Sequence, residues 1–151
     1  MTSPIKIARD RFAQGFNCSQ AVFSAYATQS GLSDEMALRL ASPLGGGIAR
    51  QGQVCGALTG ALMALGLQHG NATPEGKDET YRMAEGFLRR FKDQHGSILC
   101  RDLIGYDIST TEGLQAARAN KVFDRICPAL VEETAKSLAE FKNKLGSALS
   151  S

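Results

Sequence analysis

The chain has 151 residues, of which 43% are hydrophobic, 21% charged and 7% aromatic; it is long enough to bury a core without disulfides and too short for a second full domain. Its 17 Lys and Arg against 15 Asp and Glu leave a formal charge of +2 with no long run of either sign, which argues against nucleic acid as a partner. Alanine (20) and leucine (16) outnumber valine plus isoleucine (11) about threefold, the residue usage of helices rather than strands, so a single all-α domain over residues 1–151 is expected.

Charges at Lys6, Arg9 and Asp10 interrupt the apolar stretch that a signal peptide needs, and a cytoplasmic protein is expected. Pro4 suits a first helical turn, and Ile5, Ala8 and Phe12 mark a short amphipathic helix ending near Gly15. Asn17 with Gln20 reads as a capping box for a helix whose face carries Cys18, Ala21, Val22, Ala25 and Tyr26 as far as Gly31. Ser33 caps a helix from Asp34 to Ala41, after which Pro43 and Gly45-Gly46-Gly47 force a loop to about Gly52.

The segment Val54 to Leu67 is apolar nearly all round, as a central Gly/Ala-rich helix would be; Gly56 and Gly60 clear one stripe for the close approach of another backbone, in the same chain or in a second copy. The uncharged interval Gln51 to Gln68 is broken by glutamines, a threonine and glycines and falls short of the roughly 20 apolar residues of a membrane span. Thr73 and Pro74 start the longest helix, with a stripe of Tyr81, Ala84, Leu88, Phe91 and His95 running to Gly96. Ser97 caps a brief helix holding Cys100 at its third position, and Thr111 to Ile126 and Pro128 to Leu145 complete a compact bundle of about six to seven helices. Gln68-His69-Gly70 and Gln94-His95-Gly96 echo each other as ordinary helix ends. Lys142 and Lys144 read as a solvated or last-turn face, and Asp34-Glu35 and Glu132-Glu133 as first-turn acids.

On this reading Cys18, Cys55, Cys100 and Cys127 all lie in or beside the first turn of a helix, where free N–H groups and the positive end of the dipole favour a thiolate over the thiol, whose usual pKa is about 8.5. Thiolates are the form that attacks and that ligates. The intervals of 37, 45 and 27 residues contain no C-x-x-C, which excludes thioredoxin-type, zinc-ribbon and ferredoxin-type spacing. A site assembled from distant helices remains, either as a dithiol/disulfide pair or as ligands of a metal or iron–sulfur cluster; four cysteines allow three pairings. Small buried cysteines that only pack are the plain alternative.

The glycine loop lacks the Lys-Ser/Thr of a P-loop, and Arg50 stands where a dinucleotide fingerprint needs its last glycine. It does offer flexible backbone with free N–H groups beside Cys55, so Gly46, Gly47, Arg50 and Gly56 are candidates for holding an anionic sulfur, a cluster or a small anion, unless the glycines only let two helices turn. No hydrolase constellation is recognisable.

Cys55-Gly56-Ala57-Leu58-Thr59-Gly60 resembles the central motif of the redox-active C_GCAxxG_C_C family, with Asn17-Cys18-Ser19-Gln20, Cys100-Arg101-Asp102-Leu103 and Cys127-Pro128 as its other cysteine elements. The resemblance spans nearly the whole chain and implies a small helical cytoplasmic protein with a redox or metal-linked role. The expectation is a thiol-dependent oxidoreductase in which Cys55 acts with Cys18, while Cys100 and Cys127 serve as partner thiols. The same four thiolates as metal or iron–sulfur ligands, or an interaction module with packing cysteines, are the alternatives. A redox partner or small ligand is implied without its identity.

Overall fold

Ser3 accepts the Lys6 N–H at 3.2 Å and starts α1 (Pro4–Ala13), with Pro4 in the first turn where its missing N–H is no loss. The computed structural model describes residues 2–150, without the side chains of residues 143, 144 and 146–150, so the expectation for Lys144 lies outside the described residues. The capping box forms as expected: the Asn17 side chain accepts the Gln20 N–H at 2.9 Å, the Gln20 side chain accepts the Asn17 N–H at 3.0 Å, and α2 (Cys18–Ala27) follows. A 3-10 turn carries it to Gly31, where φ is 89°. Ser33 caps α3 (Asp34–Ala41), which holds Asp34 and Glu35 in its first turn.

Beyond the glycine loop come α4 (Gly56–His69), α5 (Lys77–His95), α6 (Cys100–Ile104), α7 (Thr111–Ala119), α8 (Val122–Arg125) and α9 (Cys127–Ser150), so the protein is all-α. Among the described residues the extended pairing is one isolated antiparallel bridge between Val54 and Leu99. α2 is buried along almost its whole length and packs on α1, α3, α4 and α9. The small residues of α4 admit it closely: a Cβ on Gly60 would stand 2.7 Å from the Ser19 carbonyl oxygen, and one on Gly56 3.1 Å from the Ser19 nitrogen. Val131, Ala135 and Leu138 of α9 close the core, and the buried Tyr26 hydroxyl donates to the Ala135 carbonyl at 2.6 Å.

Several elements differ from expectation. Pro74 sits in a separate 3-10 turn, so α5 starts at Lys77, and Tyr81 is 63% exposed because the first turns of this helix are uncovered. Phe87, absent from the expected stripe, is buried edge-on against Phe141 with ring centroids 5.4 Å apart. Thr111 to Ile126 is two helices rather than one. Asn120 folds its side-chain amide back onto the Ala116 carbonyl at 2.8 Å, and Lys121 turns left-handed at φ 54°.

Ser97 does not cap α6; its hydroxyl donates to Asp102 at 2.7 Å and accepts the Leu99 N–H at 3.0 Å, and Cys100 becomes the first helical residue rather than the third. α9 begins at Cys127, one residue before Pro128, because a proline is equally at home one position further into a first turn. Glu132 and Glu133 therefore lie beyond the first turn and face Arg9 at 3.6 Å and His95 at 3.7 Å. Lys142 is partly buried: its ammonium lies 5.0 Å from the Tyr26 ring centroid, and burial lowers its pKa.

Candidate functional site

Four helix starts face one cavity of about 690 Å³. Cys18 opens α2, Cys55 holds the N-cap position of α4, Cys100 opens α6 and Cys127 opens α9, and all four line this space. Cys55, Cys100 and Cys127 are buried, Cys18 is partly exposed, and all are free thiols. The Val54–Leu99 bridge sets two of them side by side: the Cys55 N–H donates to the Ile98 carbonyl at 2.8 Å and the Cys100 N–H to the Gln53 carbonyl at 2.6 Å. A Cβ on Gly56 would stand 3.3 Å from the Cys18 Cβ, so the glycine next to Cys55 lets Cys18 come close.

From Ile48 to Gln53 the glycine loop is not flexible backbone with free donors. Gly46, Gly47, Ile48, Ala49 and Arg50 have φ of 64°, 68°, 65°, 50° and 61°, one continuous left-handed turn. The N–H groups of Ile48 to Gln53 are spent internally: Ala49 donates to Pro43 at 2.9 Å, Arg50 to Gly45 at 3.1 Å, Gly52 to Gly46 at 3.1 Å and Gln53 to Gly47 at 2.9 Å. Left-handed backbone costs about 1–2 kcal/mol for each residue with a Cβ, and most for a β-branched one such as Ile48. That outlay sits at the wall of the cavity, where strain in proteins gathers.

Gly46, Arg50 and Gly56 line the cavity as the sequence suggested, whereas Gly47 does not. It backs Cys100 instead, and a Cβ there would stand 2.8 Å from the Cys100 Cβ. Sequence reasoning missed Asn17 in a second role, for its side chain lines the cavity and donates to the Ser42 carbonyl at 3.0 Å, tying the start of α2 to the loop. It also missed Arg118 and Asp124, which line the cavity from α7 and α8 and carry no local motif.

Burial, not helix position, sets the acidity of two thiols. It pushes Cys55 up to about 11 although the Ala57 and Leu58 N–H groups pull the other way. Cys100 rises to about 12, through burial first and then the neighbouring Cys55 and Cys127 charges. The expected depression occurs only at Cys127, where a hydrogen bond from the Cys18 thiol outweighs burial and the nearby Asp124. Cys18 is correspondingly raised, first by that bond, then by burial and by the charge of the other three cysteines.

Among the described residues no three Cys, His, Asp or Glu side chains are grouped tightly enough to hold one metal ion. The positive groups on the wall are Arg50 and Arg118; among the described residues neither has a carboxylate within 4.0 Å.

A family model described as "Putative redox-active protein (C_GCAxxG_C_C)" matches residues 16–141, which include all four cysteines. The chain belongs to this family. No curated protein and no solved structure matches it. Membership agrees with the thiol-lined cavity as far as a redox-active character, and the family description names no substrate. No helix among the described residues is long and apolar enough to cross a membrane.

Proposed function

We propose that the chain, acting as one domain in a reducing compartment such as the cytoplasm, is a thiol–disulfide exchange protein whose reactive pair is Cys127 and Cys18. The observation that carries this reading is that both open helices onto one cavity, where the neighbouring Cys18 thiol lowers Cys127 while the other three thiols are raised. The Cys127 thiolate attacks a substrate disulfide, and one substrate thiolate leaves with the electron pair of the broken S–S bond. Cys18 then gives up its proton, attacks the Cys127 sulfur and expels the second substrate thiolate. The protein ends as a disulfide and the substrate as two thiols, a transfer of two electrons. Cys55, the nucleophile favoured on sequence alone, is too weakly acidic at about 11 to start the exchange, and with Cys100 it forms a protonated reserve beside the pair.

The test is alkylation of the reduced native protein near pH 7.5 with peptide mapping. Cys127 is expected to label at least about tenfold faster than Cys55 or Cys100, and exposure to a disulfide to yield a Cys18–Cys127 bridge. Equal, slow labelling of all four thiols, with no bridge formed, refutes the reading. The arrangement of four thiols around one cavity supports a second reading, in which they bind an iron–sulfur cluster large enough to span them; the absence of a three-donor grouping weighs against a single metal ion. Anaerobic reconstitution that produced visible sulfur-to-iron absorption lost in Cys100→Ser would favour it.

A further inference from the structure

This inference rests on the exchange reading and concerns its substrate. Phe12, Leu103, Ile108 and Phe123 give the cavity an apolar wall, and about 690 Å³ suits a small ligand. Two exposed arginines line that wall from separate elements, Arg50 from the left-handed turn and Arg118 from α7, against the single carboxylate of Asp124 among the described lining residues. Neither arginine is neutralised by a described carboxylate within 4.0 Å.

Arg50 is held there at a conformational cost. It ends the run of three non-glycine residues at positive φ, and Gly46 is pressed beneath it so closely that a Cβ would stand 2.9 Å from both its Cα and its Cγ. A relaxed loop would not need such backbone, and the N–H groups of Ile48 to Gln53 are already spent on carbonyls, so over this stretch an anion in the cavity is met by the Arg50 side chain. We infer that the cavity accepts small disulfides bearing an anionic group on an apolar body, with Arg50 and Arg118 as the residues that select the negative charge.

The reaction is the exchange described above, with each half of the disulfide leaving as a thiolate that keeps its anionic group. Dithiobis(nitrobenzoate), an aromatic disulfide with carboxylates, and neutral dithiodipyridine are offered in turn to the reduced full-length protein, and the ratio of their rate constants is read by stopped flow. The ratio is expected to fall about tenfold in Arg50→Gln and in Arg118→Gln, further in the double variant, and to be unchanged in Arg89→Gln on α5. Each sample's neutral-probe rate corrects for any loss of folding. Without any substitution, added salt should lower the ratio in the native protein but not in the double variant. A ratio that moves by less than about twofold in both single variants overturns the inference while leaving the exchange reading intact. Failure of both probes to bridge Cys18 and Cys127 refutes the exchange reading itself.

Discussion

Two glycines in one helix test the packing that holds the site. The same change, Gly→Ala, should act with opposite sign at positions 60 and 66 of α4. At Gly66 a Cβ meets nothing within 4 Å, so the alanine brings only its helix propensity, a gain of about 0.8–1 kcal/mol. At Gly60 the Cβ would stand 2.7 Å from the Ser19 oxygen and 3.2 Å from the Phe23 nitrogen, both backbone atoms of α2, which cannot rotate aside. Ordinary contact needs roughly 3.4 Å or more, so α2 must retreat by several tenths of an ångström from a core without room. Overpacking of this kind costs about 1–3 kcal/mol, and a shift of main chain lies at its upper end; after the propensity gain the net loss is about 2 kcal/mol. For a chain of this size that is a fall of about 4–8 °C in Tm, against a rise of about 2–4 °C for Gly66→Ala. Thermal unfolding of the two reduced variants, followed by circular dichroism, reads both. A Gly60→Ala protein as stable as Gly66→Ala would refute the close approach of the α2 and α4 backbones. It would also remove the reason Cys18, next to Ser19, lies so near Gly56.

Burial of Cys55 should appear as an alkaline loss of stability. Its pKa rises from 9.0 to about 11, so the folded state keeps a proton that the unfolded chain gives up; the contribution is complete below about pH 9 and declines as the pH climbs towards 11, by about 3 kcal/mol in all. Urea unfolding under reducing conditions between pH 8 and 10.5 should show that decline, and Cys55→Ala should make it shallower, the remainder coming from the raised Cys18 and Cys100; equal slopes would disprove the assignment. Ala49→Gly, which relieves left-handed strain at φ 50°, should stabilise the protein by about 0.5–1 kcal/mol in the same assay, and a destabilised variant would show that the turn carries no strain.

The parts of the site legible in the sequence were those governed by neighbouring residues. Asn17 and Gln20 specify their capping box three residues apart, Ser33 its cap, and Gly56 and Gly60 a bare stripe, so the starts of α2 and α3 and the packing face of α4 needed little tertiary information. The Val54–Leu99 bridge was not legible, because one paired residue on each side leaves no alternating pattern to detect and its partners are brought together only by the fold. The left-handed turn was hidden for a related reason. Gly46 and Gly47 signal positive φ, but Ile48 argues against it, and only closure onto Pro43, Gly46 and Gly47 carbonyls imposes that conformation. At Asn120-Lys121 the helix propensity of the flanking residues concealed a break that one side-chain hydrogen bond decides.

The acidity of the thiols is the point at which local reasoning reverses. A helix N-terminus is worth about 0.3–1 kcal/mol to an anion in exposed settings, less than one decade of proton affinity, and two backbone N–H groups at Cys55 do not prevent burial from raising it by two. Position in a first turn therefore does not distinguish the four cysteines, since all share it. A donor does. Cys127 is buried as well, yet its pKa is lowered, because the neighbouring Cys18 thiol acts as a donor to it and outweighs burial. The helix starts bring four cysteines to the wall of one cavity, and what each sulfur then does depends on which neighbour the fold has supplied.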